Sequence, residues 1–338
     1  MHIRVGINGM GRIGRAVLRV LSERRDRTFE VVAVNDVAPT ETVAHLLRHD
    51  STFGPWAGRI ETERGFLAVD GQEIRALNEA LPADLPWDEL GVDIVIEATG
   101  RHRTRELASA HLTAGARKVV LTSPGSGMDA TIVMGINDED YLPGSHHIVS
   151  NASCTTNCVA PMISVLHRGF GIRRAMLTTV HGYTGDQNLL DAPHKDLRRA
   201  RAAAVNVIPT TTGAAKAVVE IFPDLAGRIE GVALRVPVVD ASITDLTVLL
   251  NEVVTAAQVN RAFADAASGP LKSILRYSTE PLVSSDVIGD PASCVLDGGL
   301  TAASGTMVKV FGWYDNEWGY AQRTVDLVDL VARTLPDR

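Results

Sequence analysis

The chain is poor in cysteine, has no long apolar run and carries no excess of positive charge. Three cysteines in 338 residues do not make a disulfide framework. Cys154 and Cys158 also lack the second ligand pair that a structural metal site needs, so no metal is expected. This usage fits a reducing compartment. No apolar stretch approaches the length of a bilayer span, and strand-like sequence from Ile3 leaves no room for a signal peptide. A cytoplasmic protein without membrane attachment is expected. A formal net charge of -7 argues against general affinity for nucleic acid and leaves room only for a local basic patch. What is present is a 45% hydrophobic fraction, enough at this length for two domains with separate cores.

The first half alternates strand and helix. Residues 2–8 have a strand pattern that runs into Gly9-Met10-Gly11-Arg12-Ile13-Gly14, after which Ala16, Val17, Val20 and Leu21 mark a helix. In such a turn Gly9 permits the backbone geometry, Gly11 lets the main chain approach a pyrophosphate, and Gly14 allows helix and strand to pack closely. The strand at 31–35 ends in Asp36, where a carboxylate can bond ribose hydroxyls and repel a 2′-phosphate. Without the glycine turn that aspartate would read as a turn or capping residue; with it, NAD is preferred over NADP. A helix at 40–48 and short strands around an Asp70-Gly71 hairpin come next. A buried strand at 93–98 leads to Thr99-Gly100, a helix covers 104–113, and a strand at 118–121 ends at Thr122. The pattern is that of a Rossmann-type doubly wound sheet over residues 1–152.

After residue 153 the pattern changes to longer alternating strands at 175–181, 231–237, 243–250 and 306–314, with a helix at 255–267. This is expected to be an α+β domain with a mostly antiparallel sheet, spanning 153–316. A C-terminal helix within 317–338, clearest at 325–334, is expected to return to the first domain. Residues 186–207 lack strand pattern and hold His194, Lys195, Arg198, Arg199 and Arg201, a run that reads equally as a solvated face.

The stretch Ser150-Asn151-Ala152-Ser153-Cys154-Thr155-Thr156-Asn157-Cys158 carries the chemistry. Cys158, Val159, Met162, Ile163 and Leu166 fall at helical spacing, which puts Cys154 at a helix N-terminus, where free amides and the helix dipole favour a thiolate. By spacing alone, a buried structural cysteine fits as well. SNASCTTNCVAP resembles the active-site signature of phosphorylating glyceraldehyde-3-phosphate dehydrogenases. Further segments resemble that family in the expected order, from the glycine turn through HGYTGDQ at 181–187, PTTTGAAK at 209–216, ALRVP at 233–237 and WYDNEWGY at 313–320.

The resemblance implies a mechanism and its residues. Cys154 would attack the aldehyde of glyceraldehyde 3-phosphate, with His181 as its acid and base, through a thiohemiacetal and a thioester that inorganic phosphate resolves. It implies NAD held by Gly9, Gly11, Arg12, Ile13, Gly14, Asp36, Thr99, Gly100 and Thr122, with Asn316 on the carboxamide and Tyr320 nearby. Thr184 and Arg235 would bind the substrate phosphate; Thr155, Thr212 and Gly213, supported by Ser153, would bind the attacking one. Thr212-Gly213 also reads as a helix cap. The 186–207 segment would pack across a subunit interface, implying a homotetramer.

Some positions depart from the family pattern: Ala80-Leu81 for Arg-Asp, Arg101-His102 for a more apolar pair, and Val238-Val239-Asp240-Ala241 for Thr-Pro-Asn-Val. Two other readings stay open. An erythrose-4-phosphate dehydrogenase shares the cysteine signature but tends to lack an intact threonine-glycine pair, and an NAD-binding interaction protein without turnover would have no need of Cys154, His181, Arg235 and Thr212 together.

Overall fold

The computed structural model describes residues 3–24 and 28–336. The chain divides into two compact units, one of residues 1–132, 138–152 and 321–338, the other of 133–137 and 153–320.

In the first unit a sheet of nine strands runs in the order Ala130–Thr131, Ile148–Ser150, Lys118–Leu121, Ile94–Glu97, Ile3–Asn8, Phe29–Asn35, Gln72–Leu77, Phe66–Val69 and Ile60–Glu63. The pairings are parallel as far as Gln72–Leu77, and the last two are antiparallel. Central strands carry the near-continuous apolar sequence that burial on both faces demands: every residue of Ile94–Glu97 and Lys118–Leu121 is buried. The expected strand at 2–8 begins at Ile3, His2 lying outside the described residues. Strand order reverses beside Ile3–Asn8, so the carboxyl ends of Ile3–Asn8 and Ile94–Glu97 border the crevice where such sheets bind ligands. The C-terminal helix, Trp318–Thr334, lies within the expected 317–338 and begins ahead of its clearest stretch at 325–334, where the Asp315 carboxylate accepts the amides of Glu317 and Trp318. From Ala321 onward it belongs to the first unit. There Asp326 pairs with Arg24, and Thr324 accepts the Asn151 side chain.

The second unit has an eight-stranded sheet ordered Ile208–Thr211, Ile229–Val236, Ile172–Gly182, Ser242–Leu250, Met307–Tyr314, Cys294–Asp297 and Leu275–Ser278, with Ala302–Ser304 paired to Met307–Tyr314. It is mostly antiparallel, with parallel pairs between Ile172–Gly182 and Ile229–Val236 and between the last two of that order. The long strands follow the sequence pattern, whereas Ile208–Thr211, Leu275–Ser278 and Cys294–Asp297 were not expected. Four residues offer too few alternations to distinguish a strand from a loop. The Cys154–Phe170 helix packs on Ser242–Leu250 and Met307–Tyr314. Gly312 makes that approach possible, since a Cβ there would lie 2.7 Å from Met162 Sδ and from Cys294 Sγ.

The glycine turn of the first unit is equally tight. A Cβ on Gly14 would stand 2.0 Å from the Gly9 carbonyl oxygen, which has no flexible side chain to yield. Gly14→Ala is therefore expected to cost about 1–3 kcal/mol, read as a lowered urea midpoint at unchanged slope. An unchanged midpoint would mean the turn can open without cost.

Candidate active site

Cys154 is the first residue of its helix, and Ser153 caps it: Ser153 Oγ accepts the Thr156 amide at 3.0 Å. Ala152, just before the cap, holds a positive φ of 54° and turns the chain into the helix. His181 ends the Ile172–Gly182 strand and is buried. Its Nε2 lies 3.4 Å from Cys154 Sγ, and its Nδ1 lies 2.7 Å from the Gly182 carbonyl. A carbonyl can only accept, so Nδ1 carries the proton and Nε2 presents a lone pair to the thiol. The Tyr314 hydroxyl braces both elements, at 3.0 Å from Thr155 Oγ1 and 2.8 Å from Thr179 Oγ1.

The helix start alone was expected to favour a thiolate, but the folded site works against it. Burial pushes the thiol up to about 11, against the opposing pull of the Arg235 charge and the Thr155 hydrogen bonds. Burial and the Arg235 charge bring His181 down to about 3. Both shifts favour the neutral forms, an arrangement in which Sγ–H would donate to Nε2. Moving that proton creates an ion pair whose attraction is roughly 4 kcal/mol at an effective dielectric of 20, which offsets part of the desolvation cost.

A cluster of basic, acidic and hydroxyl side chains belongs to the same unit. Arg235 Nη1 donates to Thr184 Oγ1 at 2.7 Å and to the Gly182 carbonyl at 3.3 Å, while Arg235 Nε and Gln187 Nε2 are buried with no acceptor among the described residues. Asp186 accepts from Thr184 and Arg199, and Arg199 Nε donates to Thr210 Oγ1 at 2.9 Å. In the sequence Arg199 is only one of a basic run in 186–207, and nothing local marks it, because its place depends on the loop returning to the Thr210 strand. Thr212 Oγ1 accepts the Ala214 amide at 3.2 Å, next to Gly213, the N-cap of the Ala214–Ile221 helix, which has no side-chain cap. Asn316, also in this unit, is buried and accepts Ser242 Oγ at 2.7 Å; Tyr320 is buried.

The first unit holds a separate pocket bordered by Gly9, Gly11, Asp36, Ala80, Thr99 and His102. Gly9 has φ +99°, and Gly11, which borders the pocket, is the N-cap of the Arg12–Glu23 helix and supplies no side-chain cap. Asp36 Oδ2 accepts the Met10 amide at 2.7 Å and Oδ1 accepts Ala38 at 2.9 Å, tying the second strand to the glycine turn while keeping further lone pairs. Arg12 pairs with Asp50, Ile13 is half-buried, Gly100 has φ +65°, and Thr122 donates to the Glu97 carbonyl. This shape suits a dinucleotide: a Cβ-free turn at a helix start, with a carboxylate at the end of the next strand.

The departure at His102 joins a buried network. Glu97 accepts from Asn8, His111, His102 and Thr99, and although burial opposes ionisation, the histidine hydrogen bonds hold its carboxyl far below the usual range. Trp87 Nε1 donates to His111 Nδ1, which leaves the His111 proton on Nε2 facing Glu97. Glu97, His102 and His111 thus bring ligand-type atoms within 4.8 Å of one another, joined through the Glu97 carboxylate.

Family comparisons agree with this geometry. The model described as "Glyceraldehyde 3-phosphate dehydrogenase, NAD binding domain" matches residues 3–105, and "Glyceraldehyde 3-phosphate dehydrogenase, C-terminal domain" matches 153–316. The chain is 54% identical to the glyceraldehyde-3-phosphate dehydrogenase of Streptomyces coelicolor, with 99% of this chain and 100% of the relative covered. It is 53% identical to that of Geobacillus stearothermophilus, covering 98% and 99% respectively. The chain belongs to the glyceraldehyde-3-phosphate dehydrogenase family. Within that family, its first unit contains the matched NAD-binding domain and its second the matched C-terminal domain.

Cys154 is half-buried, whereas Cys158 and Cys294 are fully buried. Iodoacetamide should therefore modify Cys154 far faster than the other two. Because burial disfavours the thiolate, the rate should climb with pH across neutrality, and His181→Asn should slow it at least tenfold near pH 7. A rate already level below pH 7 would show a standing thiolate.

Proposed function

We propose that the chain catalyses NAD-dependent oxidative phosphorylation of D-glyceraldehyde 3-phosphate to 1,3-bisphosphoglycerate. The 3.4 Å contact of Cys154 Sγ with His181 Nε2, beside an arginine cluster with an orphaned donor, is the observation that carries this reading.

As Sγ attacks the aldehyde carbon, its proton passes to His181 Nε2. The Cys154 amide and the protonated imidazole then face the developing oxyanion, which takes that proton to become the thiohemiacetal. Bound NAD supplies the acceptor for the hydride this oxidation releases. His181 takes the hydroxyl proton, leaving a thioester on Cys154, and the imidazolium then stabilises the tetrahedral adduct formed by phosphate. Collapse returns Sγ as leaving group and Nε2 restores its proton. Water must be kept out of this step, and a buried site favours that.

Arg235, Thr184 and the newly recognised Arg199 are assigned to the substrate phosphate, where an anion would meet Arg235 Nε. Thr155, Thr212 and Gly213, with Ser153, are assigned to the attacking phosphate. Asp36, Gly9, Gly11, Gly14 and the amides of Arg12 and Ile13 would hold the adenosine and pyrophosphate, with Thr99, Gly100 and Thr122 along the sheet end. Asn316 would orient the carboxamide, with Tyr320 nearby. A homotetramer in the cytoplasm belongs to the same reading. Exposed Leu189, Leu190, Leu197, Val205 and Val207 in the 186–207 segment offer the apolar surface such an assembly would cover.

Purified protein should reduce NAD rapidly with glyceraldehyde 3-phosphate only when inorganic phosphate is present, and Cys154→Ser should lose turnover while still binding NAD. Preference for erythrose 4-phosphate would assign the tetrose reaction instead, steady turnover without phosphate a hydrolytic one, and absence of turnover a binding role. Asp36→Ala should weaken NAD binding by about ten- to a hundredfold and narrow its preference over NADP, in keeping with the loss of about 1.5–3 kcal/mol of charged hydrogen bonding. An unchanged ratio of the two affinities would remove Asp36 from the ribose site.

A further inference from the structure

Asp240 stands at a position where the sequence departs from the family pattern, and it is fully buried; Asp315 is 1% exposed. The two flank one pairing, since Ser242 lies opposite Tyr314 in adjacent antiparallel strands. Asp240 Oδ1 accepts the Ala241 amide at 2.7 Å and so pins a residue whose φ of +68° is unfavourable for alanine. Its Oδ2 is buried and has no donor among the described residues. Asp315 is supplied differently: Oδ2 accepts Gly289 at 2.7 Å, and Oδ1 accepts Glu317 at 2.8 Å and Trp318 at 2.6 Å.

Three amide donors suit Asp315 to be the anion. An orphaned carboxyl oxygen beside an anion can be satisfied if it carries a proton and donates it. Burial, then the charges of Asp315 and Glu317, all push Asp240 upward, and its charged form would in turn oppose ionisation of Cys154. The turn that Asp240 pins leads straight into the site. Ser242 Oγ accepts the Gly182 amide at 3.2 Å and donates to Asn316 Oδ1 at 2.7 Å, and the Gly182 carbonyl holds His181 Nδ1.

We propose that Asp240 and Asp315 share one proton, and that this proton, resident on Asp240, positions the 240–242 turn under His181 and Asn316 and keeps a second negative charge away from Cys154. Asp240 is thus a positioning residue. The inference rests on Cys154 and His181 being the reacting pair. Loss of the proton in alkali sets two like charges together in a buried site and makes the thiol harder to ionise.

Asp240→Asn keeps an acceptor for Ala241 and offers Nδ2–H to Asp315 without titrating; Asp240→Leu offers neither. The first readout is melting temperature, which needs no turnover. A carboxyl whose folded pKa lies above its unfolded value contributes stability that is complete below the unfolded pKa and is lost as pH rises through the folded one. The melting temperature of D240N relative to the unsubstituted protein should therefore rise steadily from about pH 5 to about pH 9. A constant difference over that range overturns the shared proton. The second readout is kcat against pH. Asp240→Leu should lose at least tenfold near pH 7 and Asp240→Asn should recover most of it, with its alkaline decline moved at least about one unit higher. Coincident profiles for D240N and the unsubstituted protein overturn the coupling to Cys154. An unsubstituted protein without turnover defeats the functional reading alone, and the melting comparison still decides the dyad.

Discussion

Cys154 Sγ and His181 Nε2 meet at 3.4 Å because a helix start and a strand end are held in register by groups outside the pair. Ser153 sets where the helix begins, and Gly312 lets that helix settle onto the sheet through Met162 and Cys158. The Tyr314 hydroxyl then links Thr155 of the helix to Thr179 of the strand. Each device is weak alone, a hydrogen bond contributing on the order of 1 kcal/mol. Together they remove the freedom that would otherwise let thiol and imidazole drift beyond contact, which is how a site gains reactivity from position.

Burial decides the electrostatics of the second unit. It raises the thiol, lowers the imidazole and raises Asp240, in each case by favouring the neutral form. In such surroundings a single cation acts strongly. Arg235 favours the thiolate on one side and disfavours the imidazolium on the other, so neutralising its charge would ease protonation of His181.

The first unit solves a different problem: it must leave backbone amides open and still hold its strand ends rigid. Glu97 does the holding, gathering Asn8, Thr99, His102 and His111 around one carboxylate at the sheet's carboxyl edge. Asp36 does the same for the glycine turn through Met10. The pocket is thus bordered by strand ends that these two carboxylates hold, with the N-cap glycine of the Arg12–Glu23 helix on its rim.

Much of this was legible in the sequence because it is local. The glycine turn, the strand ending at Asp36, the helix at Thr40–Arg48 and the helix opening at Cys154 follow from steric and periodic rules acting over a few residues, and the mixed fold class follows from their order. Short strands such as Cys294–Asp297 were not legible, since pairing partners rather than their own four residues define them. Arg199 reaches Asp186 only by loop closure, and His102 and His111 share Glu97 only because helix and strand ends converge. Protonation was the furthest from view. A helix start by itself favours a thiolate, and an aspartate by itself is an anion; the desolvation that reverses both arises when distant strands cover them, a property of the packed chain that residue order alone does not carry.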